Sequence, residues 1–133
     1  MKITKLNQLP NFVLGYSDYD DCPKCKKGSL CIPDGYDIFN DNFYFNWECD
    51  TCEYYSSIEG KIVKYQKKLD DDNWVDVDED EEDAGMYISC DSCHYIDIAN
   101  IDGTDCLVYI GKDIETDTEY RAIIKDAIFE DNI

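Results

Sequence analysis

A chain of 133 residues fits one domain or two very small ones, and its 44% hydrophobic content supplies only a modest core that cross-links would reinforce. Its net charge of −19 is placed unevenly: residues 1–69 carry 9 basic and 10 acidic side chains, whereas residues 70–133 carry 3 and 21. That acidic half repels phosphate backbones and lipid headgroups, which argues against membrane or direct nucleic-acid binding and for a basic protein surface, or a cation, as partner.

The N-terminal stretch Met1-Lys2-Ile3-Thr4-Lys5-Leu6-Asn7-Gln8-Leu9-Pro10 lacks the continuous apolar run of an export signal. No segment approaches the roughly 18 apolar residues of a spanning helix. A soluble cytoplasmic protein with reduced cysteines is expected. Phe12, Val13, Leu14 and Tyr16 read as a short strand or extended segment leading to Cys22-Pro23-Lys24-Cys25. Residues 36–47 read as two strands around Asn40-Asp41-Asn42, with Phe43, Phe45 and Trp47 on one core face. After Cys49-Asp50-Thr51-Cys52, a hairpin is expected from Tyr54 to Leu69, turning at Glu59-Gly60 and returning through Ile62-Val63-Lys64-Tyr65.

Asp70 to Asp83 then holds ten acidic residues in fourteen, broken by Trp74, Val75 and Val77. Such a block reads either as a solvated linker, over 70–85, or as a docking segment for a basic groove. In the second reading Trp74 is the anchor and Asp78, Asp80 and Glu82 steer the encounter. Met86-Tyr87-Ile88, Tyr95-Ile96-Asp97-Ile98 and Cys106-Leu107-Val108-Tyr109-Ile110 read as strands, the last two joined at Ile101-Asp102-Gly103-Thr104. Thr116-Asp117-Thr118-Glu119 has the form of a capping box opening a helix over 116–130. Tyr120, Ile123, Ile124, Ala127 and Ile128 give that helix one apolar stripe. Asp126, Glu130 and Asp131 oppose its dipole, at about 0.3–1 kcal/mol each.

The chemistry lies in eight cysteines: Cys22, Cys25, Cys31, Cys49, Cys52, Cys90, Cys93 and Cys106. A turn built on C-x-x-C points both sulfurs inward and leaves backbone N–H groups free to bond them, so two facing turns supply the four tetrahedral ligands zinc prefers. Disulfides are the competing reading, but no export signal supports them, and cysteines three apart bridge each other only under strain. A redox pair of the thioredoxin kind would sit in a βαβ pattern, which is missing here. Iron would use the same four ligands.

Cys22-Pro23-Lys24-Cys25 and Asn46-Trp47-Glu48-Cys49-Asp50-Thr51-Cys52 resemble the two knuckles of the zinc ribbon family, over about residues 19–65. The resemblance implies β-hairpins clamping one Zn2+ through Cys22, Cys25, Cys49 and Cys52. Where many ribbons have glycine after a knuckle's second cysteine, this chain has Lys26 and Glu53, with Gly28 two residues after Lys26. Cys90-Asp91-Ser92-Cys93-His94-Tyr95-Ile96 echoes the second knuckle and suggests a half-ribbon around 86–110, with a second ion held by Cys90, Cys93, Cys106 and Cys31. In the alternative, Cys31 and Cys106 are small buried core residues. His94 follows Cys93 directly, an awkward place for a ligand.

The expected fold is therefore mainly β with a C-terminal α-helix, a small α+β protein. Its parts are a ribbon domain over 1–69, the acidic linker 70–85, and a β-rich acidic subdomain over 86–133. The sequence has no nucleophile motif, phosphate loop or H-E-x-x-H, and its single histidine cannot build a histidine-rich catalytic metal site. The expected function is a non-enzymatic, zinc-stabilised binding module that engages or blocks a basic surface, as an inhibitor, immunity or anti-defence protein would. Two alternatives are a transcription-type ribbon within nucleic-acid machinery and a structural subunit of a larger complex.

Overall fold

The computed structural model describes residues 1–14, 21–31, 36–39, 42–70, 73–77, 95–112 and 116–133. Nine strands occur among them, all in one antiparallel sheet: β1 (Lys2–Ile3), β2 (Leu30–Cys31), β3 (Tyr36–Phe39), β4 (Asn42–Cys49), β5 (Tyr55–Asp70), β6 (Asn73–Asp76), β7 (Tyr95–Ile101), β8 (Thr104–Lys112) and β9 (Glu119–Asp131). The main path runs β2-β4-β5-β9-β8-β7, while β3 extends the β4 edge, β6 returns along β5, and β1 lies against β9.

The expected C-terminal helix is absent: Glu119–Asp131 is the strand β9, and the only helical turn among the described residues is Leu6–Gln8. The reason lies in a bulge. Glu59 pairs with Ile128 and Lys61 with Lys125, so β9 has one residue more than β5 there, and Asp126 takes a φ of 56°. The residues that β9 buries in the main core are consequently Ala122, Ile124, Ala127 and Phe129. A two-residue period interrupted by a bulge imitates the spacing of a helical stripe. Ile123 is buried too, against a second cluster on the opposite face, which completes the imitation. The Thr116–Glu119 capping box does not form either: Thr116 Oγ1 bonds Thr118 Oγ1, and Glu119 pairs with Lys68 at 3.3 Å.

The hairpin expected at Glu59-Gly60 is also absent, because β5 runs unbroken for 16 residues. Gly60 serves close packing instead. A Cβ there would lie 2.4 Å from Ile124 Cγ2 and 3.3 Å from the Ala127 Cα, so its bareness lets β9 approach. Residues 11–14 form a turn rather than a strand, with Val13 buried and Phe12 edge-on to Trp47 and Phe129.

Other elements match the local signals. The strands β3 and β4 meet at Phe39↔Asn42. On β4, Phe43 stacks on Phe45, and Phe45 tilts against Trp47. The β7–β8 hairpin turns through Asp102 and Gly103, both at positive φ as a tight two-residue turn of this hand requires. Met86-Tyr87-Ile88 lies outside the described residues.

Strands from both halves of the sequence share one core. Phe43 on β4 and Tyr109 on β8 stand three strand spacings apart, about 14 Å in a flat sheet, yet their rings meet at 4.9 Å. The sheet therefore curls around the cluster that contains Leu30, Trp47, Ile58, Leu107, Ile124 and Phe129. This cluster also contains Cys22 and has Cys25, Cys49 and Cys52 packed against it, which ties the core to the cysteine site. No helix of the described residues is long and apolar enough to cross a membrane.

Candidate metal centre

Two turns bring the cysteines together. The first, from Cys22 to Gly28, is closed by the Asp21↔Ser29 bridge and leads into β2. The second, from Cys49 to Tyr54, is the loop of the β4–β5 hairpin, whose last rung is Glu48↔Tyr55. Pairing of Leu30 with Cys49 and Cys31 with Glu48 sets the first turn over the second. The Cys22, Cys25, Cys49 and Cys52 sulfurs lie within 4.8 Å of one another, positioned to hold one metal ion. The cross-turn pairs Cys22–Cys52 and Cys25–Cys49 stand 3.6 and 3.7 Å apart. A tetrahedron with ~2.3 Å metal–sulfur bonds has edges of about 3.8 Å, so the four sulfurs fit an ion of that geometry.

Backbone N–H groups surround the sulfurs. Gly28 donates to Cys25 Sγ, and Thr51 and Cys52 donate to Cys49 Sγ, each at 3.3 Å. The amides of Lys27 and Gly28 pull the Cys25 thiol down to about 6. Cys52 also receives the Tyr54 amide, which lowers it, but burial and the sulfurs of Cys49, Cys22 and Cys25 push it up to about 12. The cluster thus accepts a first negative charge readily and opposes the next, an opposition that a bound dication removes.

Asp50 fastens the two turns. Its carboxylate accepts from the Ser29 amide at 2.9 Å and from Thr51 Oγ1 at 2.8 Å, and the Thr51 hydroxyl followed by the Ser29 amide holds it below the usual carboxylate range. Gly28 makes the approach possible: a Cβ there would lie 2.6 Å from Asp50 Oδ1, Cys49 Sγ and Thr51 Oγ1. Gly28→Ala is expected to weaken metal binding roughly 10- to 100-fold, as measured by competition with a chromogenic chelator. Lys26, where many ribbons have glycine, adopts φ 58°, a left-handed conformation costing a lysine about 1–2 kcal/mol.

Tyr54 joins the site to the sheet. Its carbonyl accepts from the Cys49 amide at 3.1 Å and its phenol donates to Asp131 Oδ2 at 3.3 Å. Burial, above all, raises this phenol to about 12. Gly28 and Asp50 stand inside or beside the knuckle motifs, where the sequence could have flagged them. The parts played by Asp131 and Asn132 have no sequence signal, being 77 or more residues from their partners.

Of the second four-cysteine set, only Cys106 has its side chain among the described residues. Cys31 lies in the row of Glu48 and Tyr55, while Cys106 lies one residue beyond the row of Leu107, Ile124 and Ile62. Cys106 is buried with Val108, Ile110 and Ile123. Cys90, Cys93 and His94 lie outside the described residues, as do Asp78, Asp80 and Glu82.

Trp74, on β6, packs against that second cluster with the Arg121 guanidinium 4.2 Å from its ring. Arg121 Nε donates to Gln66 Oε1, and Gln66 Nε2 to Asp76 Oδ1, each at 2.9 Å. Compared with known proteins, the chain matches no family model, no curated protein and no solved structure, so the four-cysteine geometry stands as its own evidence.

Proposed function

We propose that this chain is a zinc-stabilised, non-enzymatic acidic module of zinc ribbon type that engages or blocks a basic surface of a partner protein. Zinc is favoured over other ions by an all-sulfur, tetrahedral donor set with amide N–H support. The observation that carries the binding reading is the partition of charge. On β5, Lys64 and Lys68 pair with Asp76 and Glu119, and Lys112 pairs with Asp117. At the β7–β8 hairpin, Asp97, Asp102 and Asp105 are exposed and make no ion pair among the described residues, and neither does Asp126 on the adjoining part of β9. Unpaired like charges cost self-repulsion that a basic partner relieves, and they speed its approach. Asp78, Asp80 and Glu82, with Trp74 as an aromatic contact, are the further residues this reading assigns to the complex.

A transcription-type ribbon is the second reading, favoured by Lys24, Lys26 and Lys27, which are exposed beside the site. A zinc ion with four thiolates carries net −2, however, and those lysines offset it. Pull-down from lysate across a salt gradient separates the two readings. A partner that is retained after nuclease digestion and released as salt rises supports the acidic module. A partner lost on nuclease digestion contradicts it.

A further inference from the structure

The last turn of the metal site is gripped by the far end of the chain. Beyond the Ser56↔Asp131 rung, the Asn132 side chain uses both of its polar atoms on the backbone that follows Cys52. Its Nδ2 donates to the Glu53 carbonyl at 2.7 Å, and its Oδ1 accepts from the Tyr55 amide at 3.1 Å. The Asn132 amide donates in turn to the Tyr55 carbonyl at 3.2 Å. Between these two anchored residues stands Tyr54, whose phenol reaches the Asp131 carboxylate, itself 2% exposed. The Tyr54 carbonyl takes the Cys49 amide at 3.1 Å, which closes the second cysteine turn.

We infer that Asp131 and Asn132 are positioning residues of the metal centre: by fixing the Glu53–Tyr55 backbone, they hold the Tyr54 carbonyl that anchors the Cys49 amide and so set the Cys49–Cys52 turn. The inference rests on the metal reading of the four cysteines and extends it to a dependence on the C-terminal end of β9. Groups that orient a ligand from outside the coordination sphere typically alter metal affinity by about 10- to 100-fold. Linkage makes the effect reciprocal, so zinc tightens the docking of residues 131–132 on the β4–β5 loop by the same factor. An ion bound by residues 22–52 and a strand end 80 residues later would then report on each other.

The test uses the full chain, kept reduced, with zinc affinity measured by chelator competition and the cobalt-substituted site read by its sulfur-to-metal absorption. Asn132→Ala is expected to weaken zinc about tenfold and to shift the cobalt band, and Asn132→Asp, which keeps the acceptor for Tyr55 but loses the donor to Glu53, to fall between. Asn100→Ala is the control. Asn100 also both donates and accepts, to Asp105 Oδ1 and from the Gly103 amide, but in the β7–β8 hairpin. It should lower stability while leaving zinc affinity and the cobalt band unchanged. Wild-type affinity in both Asn132 variants, or equal weakening by Asn100→Ala, would overturn the inference. Absence of zinc binding in the wild type would instead sink the metal reading on which it rests.

Discussion

Cys49→Ser is expected to abolish metal binding and to remove the cooperative thermal transition of the entire sheet. Two magnitudes decide this. Structural zinc contributes about 10–16 kcal/mol of apparent binding free energy in small zinc domains, whereas a domain of this size has a net stability of roughly 5–15 kcal/mol. Loss of the ion therefore removes most or all of the margin. The damage should not stop at the N-terminal half, because Cys22 and Leu30 pack in the same cluster as Tyr109, Ile124 and Phe129. Circular dichroism melts of the reduced proteins check this. A mutant that keeps the wild-type transition would mean that the sheet stands without the clamp.

Phe129→Ala is expected to destabilise the protein by about 3–5 kcal/mol, in the range for large-to-small changes at filled core sites. Phe129 is fully buried, pairs with Ile58 on β5 and Ile3 on β1, and sets its ring against Phe12 and Trp47. The substitution also separates two folds of the same segment. In a helix whose stripe is Tyr120, Ile123, Ile124, Ala127 and Ile128, position 129 faces solvent and alanine costs little. In the strand observed here Phe129 is core and Ile128 is only half-buried. Urea denaturation gives the number, and a change below about 1 kcal/mol would favour the helix.

That contrast shows where local sequence carried the fold. Signals within a few residues were legible: the C-x-x-C turns, the pairing of β3 with β4, and the Asp102-Gly103 turn all depend on nearby backbone chemistry. The pairing of β5 with β9 was not, since rungs such as Tyr65↔Ala122 join residues far apart in the chain. Local periodicity cannot encode a partner at that separation, and the bulge at Asp126 together with burial of Ile123 on the opposite face disguised the two-residue period. Tyr55–Asp70 misled for a related reason: Gly60 looks like a turn residue, but it faces the backbone of β9. The shift in charge near residue 69 is real, and β6 pairs back onto β5 just beyond it.

The site followed the same rule. Cys22, Cys25, Cys49 and Cys52 announced themselves by spacing, and the sheet delivers their sulfurs to one point. Cys106 has no such local pattern, and its side chain is buried with Val108, Ile110 and Ile123.

Native mass spectrometry of the full chain, purified and kept reduced, addresses the metal centre most directly. Wild type should carry zinc, and Cys49→Ser should carry one zinc ion fewer per chain. A reduced wild type with no metal, one with iron in place of zinc, or an unchanged zinc count in Cys49→Ser would contradict the assignment of Cys22, Cys25, Cys49 and Cys52 as a zinc site.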